Sequence, residues 1–343
     1  MSTKKWSARA ALVAGAAAIA LALSACTAGG STNESTSAEG TFAGSESETY
    51  YMVTFLSGYP FWKETYRGFQ DAARQLGVTA QYAGATEYDV NAAVSSLEQI
   101  IAKKPDGIAV TAMDADAYVA PIDKAVDAGI PTVTFDSDAP DSKRAAFLGT
   151  GNYAAGAEVA SQLGERLDGK GKVGVVTLLG QTNINDRVRG FEETLESEYP
   201  GIEIVDVVDA GSDETSAGSA ASNLIKANPG LDAIFATTVT AEIGSLTAID
   251  ESGSAGELKL VTFDSDEVTL KNIQAGTVEF SVAQGPYHMG YWSMMMLYAV
   301  KHKTVSPVDD WSTYGIDPLP PMVDTGAFLI DAENVDAYLN TGK

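Results

Sequence analysis

From residue 50 onward, short apolar runs alternate with longer stretches whose apolar residues recur at helical spacing. Residues 51–56 predict a strand. Phe61, Trp62, Tyr66, Phe69, Ala72, Ala73 and Leu76 then form one stripe of a helix over 61–76. The same reading gives strands at 78–82, 107–111 and 130–133, separated by helices at 90–102 and 117–128. A second series follows, with helices at 154–167, 187–198, 215–227 and 241–251 and strands at 173–179, 202–208, 231–236 and 258–263. Alternation of this kind builds a parallel sheet covered by helices on both faces. Two series predict an α/β chain of two doubly wound, Rossmann-like lobes.

Beyond residue 275 too few elements remain for a third core: a strand at 278–282, a helix at 289–300, a strand at 328–330 and a short segment at 335–339. These are expected to complete the two sheets. The chain then crosses between lobes near Thr150-Gly151, near Gln284-Gly285 and around 320–324, a multi-strand hinge. The expected division is an N-terminal lobe of 49–150 plus 284–320 and a C-terminal lobe of 151–283 plus 321–343.

Both series end alike. Thr-Phe-Asp-Ser-Asp occurs at 134–138 and again at 262–266, each time at the end of an apolar strand. Each copy places a carboxylate just past a strand's C-terminal end, where open α/β sheets bind ligands. Asp and Ser are ordinary loop residues, so coincidence is the competing reading. A cleft offering Asp136 from one half and Asp264 from the other fits one small polar ligand.

The N-terminus reads as a processing segment. Lys4, Lys5 and Arg9 precede an apolar stretch of 14 residues, 10–23, which has the length of a secretory h-region and is short for a membrane span. Leu23-Ser24-Ala25-Cys26 contains the single cysteine and resembles a bacterial lipobox. Residues 1–25 are thus expected to be a lipoprotein signal peptide, with Cys26 the lipidated residue that anchors the chain outside the cytoplasm. A plain signal that happens to contain a cysteine is the alternative. Residues 26–48 are rich in Ser, Thr, Gly and Glu and read as a flexible tether.

The net charge is −24, and the predicted signal peptide carries only basic residues, so the mature chain is more acidic still. Such a polyanion disfavours nucleic acid as a partner. The lone cysteine excludes disulfides and thiolate metal sites from the mature protein.

Four stretches resemble the type I periplasmic binding proteins of sugar ABC transporters, the ribose-binding-protein-like group. They are Tyr59-Pro60-Phe61-Trp62, Thr134-Phe135-Asp136-Ser137, the segment from Asn185 to Phe191, and Val261-Thr262-Phe263-Asp264 with Ala283-Gln284. The resemblance covers roughly residues 50–340. It implies that Phe61 and Trp62 sandwich a sugar ring, that Asp136 and Asp264 accept from hydroxyls, and that Arg187 and Gln284 donate. It places Thr150 at the hinge. Tyr59, Thr111 and Thr238 stand where the family commonly has amides or a carboxylate, which leaves the identity of the sugar or polyol open. The implied protein is a monomeric, non-enzymatic receptor that delivers its ligand to an ABC permease. A sensor feeding a chemotaxis or kinase receptor, and an exported enzyme, are the alternatives.

Other motifs carry less. Gly169-Lys170-Gly171-Lys172-Val173-Gly174 has dinucleotide-loop spacing but precedes a strand, so it reads as a turn. The Asp-rich stretches at 136–141 and 264–267 do not continue as an EF-hand loop, and no metal or cofactor is expected. His288 has no catalytic partner at a diagnostic spacing. Met294-Met295-Met296 reads as core.

Overall fold

The computed structural model describes residues 44–59, 61–211, 213–305, 307 and 313–339. The predicted signal peptide, Cys26 and the tether up to residue 43 lie outside them. The first half contains β1 (Thr49–Thr54), α1 (Phe61–Leu76), β2 (Thr79–Gly84), α2 (Val90–Ala102), β3 (Gly107–Val110), α3 (Ala115–Asp127), β4 (Thr132–Phe135) and β5 (Phe147–Gly149). The second half runs α4 (Asn152–Arg166), β6 (Lys170–Thr177), α5 (Thr182–Glu198), β7 (Gly201–Asp209), α6 (Glu214–Ala227), β8 (Ala233–Ala236), α7 (Val239–Ser252), β9 (Lys259–Phe263), α8 (Glu267–Ala275) and β10 (Phe280–Gln284). Then come α9 (Pro286–His302), β11 (Met322–Asp324), β12 (Ala327–Asp331) and α10 (Val335–Leu339).

The strands form two six-stranded sheets, β11-β5-β4-β3-β1-β2 and β12-β10-β9-β8-β6-β7. Their pairings are parallel except for β12, which runs antiparallel to β10 at the second sheet's edge. The central strands β3, β4 and β8 are buried at every residue. That is why they read as unbroken apolar runs: helices cover both faces of a parallel sheet. In each sheet the order reverses beside its first strand, between β1 and β3 and between β6 and β8.

Each lobe has a close helix crossing through a pair of glycines beside the cleft. In the second lobe, a Cβ on Gly156 of α4 would sit 1.9 Å from the Arg187 carbonyl oxygen of α5, and one on Gly190 would sit 2.0 Å from that of Tyr153. Only glycine permits that approach, and it fixes where α5 presents Arg187. Gly68 of α1 and Gly290 of α9 do the same in the first lobe, against the carbonyl oxygens of Tyr287 and Thr65.

Three details differ from the sequence reading. The strand β11 pairs with β5, so 322–324 belongs to the first sheet and not to the second lobe, where a boundary at 321 put it. The third crossing therefore falls at Thr325-Gly326. Lys170–Lys172 form the start of β6, paired with β7, and only Gly169 before them turns, with φ 70°. The elements β5, β11 and α8 escaped prediction because three strand residues, or nine helical ones, carry too little periodicity to read. As anticipated, Met294 is buried in the first lobe's core, with Met295 and Met296 packed against it.

The three crossings lie side by side. Thr325 N donates to Gly149 O at 2.8 Å, Gly151 N to Asp324 Oδ1 at 3.1 Å, and Thr150 Oγ1 to Gln284 Oε1 at 3.1 Å. Thr150 and Gln284 thus join two crossings to each other.

Candidate functional site

Loops from the C-terminal ends of both sheets enclose a cavity of about 120 Å³. The loops after β1 and β6, with the starts of the helices α1 and α5 that follow them, supply most of its wall, through Phe55, Tyr59, Phe61 and Trp62 on one side and Gln181, Asn183 and Arg187 on the other. These are the two switch points, where the flanking helices diverge and leave a crevice.

The repeated pentapeptide builds two opposing corners. Asp136 and Asp264 both take left-handed backbone, with φ 61° and 78°, a conformation Asp tolerates better than most residues. Both use the same backbone anchor on the neighbouring strand, Asp136 N to Leu148 O at 3.0 Å and Asp264 N to Val282 O at 3.1 Å. Both line the cavity and are buried, at 6% and 7% exposure. Gln284 Nε2 donates to Asp264 Oδ1 at 2.7 Å, so a chain of bonds runs from Thr150 through Gln284 to Asp264. Thr111 Oγ1 lies 3.5 Å from Asp136 Oδ2.

Arg187 is 2% exposed and makes no contact ion pair among the described residues. Its Nη1 donates to Thr237 O at 2.6 Å and its Nη2 to Asn152 Oδ1 at 2.8 Å, with Nε 3.3 Å from the same oxygen. The guanidinium carbon sits 3.4 Å from the Phe263 ring centroid. Neutral acceptors and an aromatic face therefore aim the fork, and two of its N–H donors remain for a ligand. Burial pulls the Arg187 pKa down to about 10, while the charges of Asp264 and Asp136 oppose that shift, so the group stays cationic at neutral pH.

The carboxylates move the other way. Burial, and then the charge of Asp264, pushes Asp136 up to about 7, against the opposing pull of Arg187. Burial, then Asp264 and Glu242, pushes Asp266 up to about 6. Burial also raises Asp264 and Glu242. Glu242 lies behind the site, accepting from Thr269 Oγ1 at 2.6 Å and Asn272 Nδ2 at 2.8 Å of α8.

A stability prediction follows from these directions. Unfolded aspartates titrate near ~3.9. Asp136 and Asp266 hold protons in the folded chain that the unfolded chain has released, up to pH about 7 and about 6. Their contribution is fully present below the unfolded pKa and is lost as pH rises through the folded values. The thermal midpoint of the ligand-free protein should therefore rise on going from pH 8 to pH 5.5, and Asp136→Asn should flatten the slope. A wild-type midpoint that falls over that interval contradicts this charge arrangement.

The aromatic wall differs from the expected sandwich. Phe61 and Trp62 rings meet edge-to-face, with centroids 5.0 Å apart and planes at 84°. Two rings so close and nearly perpendicular cannot cover opposite faces of one sugar. Trp62 is 2% exposed and is also met edge-on by Phe55 and Phe135. It serves as the rigid backing of the wall, while Phe61 and Tyr59 are partly open. Burial and the charges of Asp264, Asp266 and Asp136 raise the Tyr59 pKa, which keeps its hydroxyl protonated as a donor.

Of the residues singled out from sequence, Tyr59, Phe61, Trp62, Asp136, Arg187, Thr238, Asp264 and Gln284 line the cavity together. Thr111, Ser137 and Thr150 do not. Thr111 and Thr150 sit behind Asp136 and Gln284, and Ser137 is buried, its backbone carbonyl accepting from Ala112 N at 3.0 Å. Thr238 also caps α7, accepting from Ala241 N at 3.2 Å. Sequence reasoning missed Tyr88, Gln181, Asn183 and the Arg187 partner Asn152. Asn152 follows the crossing Thr150-Gly151 directly, which was the available signal. Tyr88 stands in a strand-to-helix loop, Gln181 at the N-cap of α5 and Asn183 in its first turn, none within a local motif.

Two α/β lobes sharing a three-segment hinge, with a cavity of aromatic walls and convergent charged groups at both switch points, define the bilobal solute-receptor class. A family model for the periplasmic binding protein domain matches residues 50–304, and the chain belongs to that family. Its fold is the type I form. A solved sugar ABC transporter (sugar-binding protein) from Bacillus halodurans is 44% identical, covering 85% of this chain and 100% of that one, with a TM-score of 0.80. An arabinose binding protein from Geobacillus stearothermophilus is 41% identical, covering 85% and 99%, with a TM-score of 0.77. The D-allose-binding periplasmic protein of Escherichia coli is 29% identical over 277 residues, 76% of this chain and 87% of that protein.

Proposed function

We propose that this chain is the lipid-anchored solute-binding component of an ABC importer. In this reading Cys26 carries the lipid, the interlobe cavity captures one neutral sugar or closely related polyol, and the closed form presents it to the permease. One arrangement carries the proposal: Asp136 and Asp264 from opposite lobes, with the Arg187 fork, converge on one cavity beside an aromatic wall. A sugar has apolar faces and a rim of hydroxyls. Carboxyl acceptors and a planar cationic donor match the rim, and hydrogen bonds to a charged group are roughly twice as strong as neutral ones. The aromatic wall matches a face. The relatives named above, binding proteins for arabinose and allose, support the ligand class, and binding without covalent change is the role they share.

Closure follows from linkage. A ligand that touches both lobes binds the closed form better and shifts the equilibrium towards it. Thermal-shift screening against aldopentoses, aldohexoses and polyols tests the reading. A ligand at about 100 times its Kd should stabilise the protein by about 2.7 kcal/mol through mass action, a clear rise in midpoint. No rise with any neutral carbohydrate would remove the sugar reading.

A further inference from the structure

Tyr88 lines the cavity and is also 37% exposed, so its ring forms the wall between ligand space and solvent. It stands in the loop between β2 and α2. Its backbone neighbour Asp89 caps α2, accepting from Ala92 N at 2.8 Å, and its ring meets Phe55 edge-on with centroids 5.7 Å apart. The residue is therefore held at both ends.

Gln181 faces it from the second lobe, at the N-cap of α5. A polar side chain at an N-cap ordinarily accepts from the helix's first free N–H groups. Gln181 makes no such bond. Its backbone carbonyl accepts from Asn185 N at 2.9 Å, while its side-chain amide reaches across the cleft and Nε2 donates to the Tyr88 hydroxyl. Gln181 is 6% exposed and also lines the cavity. This bond lies away from the crossings and joins the β2–α2 loop of one lobe to the start of α5 in the other.

We propose that the Tyr88–Gln181 hydrogen bond is the latch that holds the lobes shut over the bound ligand and sets its residence time. The proposal rests on the reading of the cavity as a ligand site. Breaking the latch makes reopening easier and leaves the open form, which the ligand first meets, unchanged. The effect belongs in dissociation.

The test is stopped-flow tryptophan fluorescence with L-arabinose as probe, since Trp62 lies in the cavity wall. Tyr88→Phe keeps the ring against Phe55 and removes the hydroxyl. Dissociation should quicken about three- to tenfold, the worth of one neutral hydrogen bond, with association unchanged. Gln181→Ala should do the same, and the double variant should be no faster than either single one. Unchanged dissociation in both single variants, or additive effects in the double, overturns the latch. A wild-type protein that ignores arabinose counts against that sugar as ligand and leaves the latch to a ligand-free readout. Amide hydrogen exchange in segments 85–89 and 179–184 should then be faster in Tyr88→Phe than in wild type, and equal protection overturns it.

Discussion

Replacing Asp264 by alanine is expected to weaken ligand binding by about a hundred- to ten-thousandfold. That range corresponds to two hydroxyl bonds to a charged acceptor at about 1.5–3 kcal/mol each. The substitution also removes the acceptor of Gln284 Nε2 and so breaks the chain of bonds from Thr150 through the hinge to the site. The folded chain should lose far less. Burial already disfavours the Asp264 charge, and its removal offsets part of the cost of alanine at φ 78°. Asp264→Asn separates these effects, because asparagine tolerates the left-handed backbone and still accepts from Gln284. It should bind more weakly than wild type and more tightly than the alanine variant. Titration of both against a thermal-shift hit checks the order. Wild-type affinity in Asp264→Ala contradicts a site shared by the two lobes.

Arg187→Met carries the second large effect, on folding as well as binding. The substitution leaves Asp136 and Asp264 buried without a compensating cation, and it orphans the acceptors Asn152 Oδ1 and Thr237 O. Removing one partner from a buried charge cluster costs about 3–5 kcal/mol. The loss should depend on pH with a definite sign. Arg187 opposes protonation of Asp136, so in the variant Asp136 takes up its proton at a higher pH than in wild type, and as pH falls the uncompensated charge disappears. Urea unfolding at pH 8 and pH 5.5 should show the larger deficit at pH 8. A deficit below ~1 kcal/mol at pH 8, equal at both pH values, would mean that Arg187 does not offset these carboxylates.

Much of the fold was legible because its signals are local and repeated. Strands such as β3 and β8 are continuous apolar runs bounded by turns, and the stripe from Phe61 to Leu76 repeats at helical spacing. The duplicated pentapeptide located two corners of the cavity for the same reason, since a strand end in a parallel sheet faces the crevice. What did not read depends on contacts between distant segments. The strand β11 has three residues, and only its pairing with β5 assigns it to the first sheet. The angle between Phe61 and Trp62 is set by Phe55 and Phe135 packing against the indole, which no spacing encodes. Asn152 and Arg187 are 35 positions apart and meet because glycines let α4 and α5 touch. Tyr88 and Gln181, 93 positions apart, meet across the cleft from different lobes.

Titration calorimetry of the protein with L-arabinose, D-ribose, D-allose and related polyols, repeated with Asp136→Asn and Asp264→Ala, measures binding at both corners of the cleft directly. One sugar should bind with a stoichiometry of about one and a Kd near or below about 1 µM, a binding free energy near −8 kcal/mol. Both substitutions should weaken it strongly. No heat from any neutral carbohydrate, or a heat unchanged by either substitution, would contradict a sugar held between the two lobes.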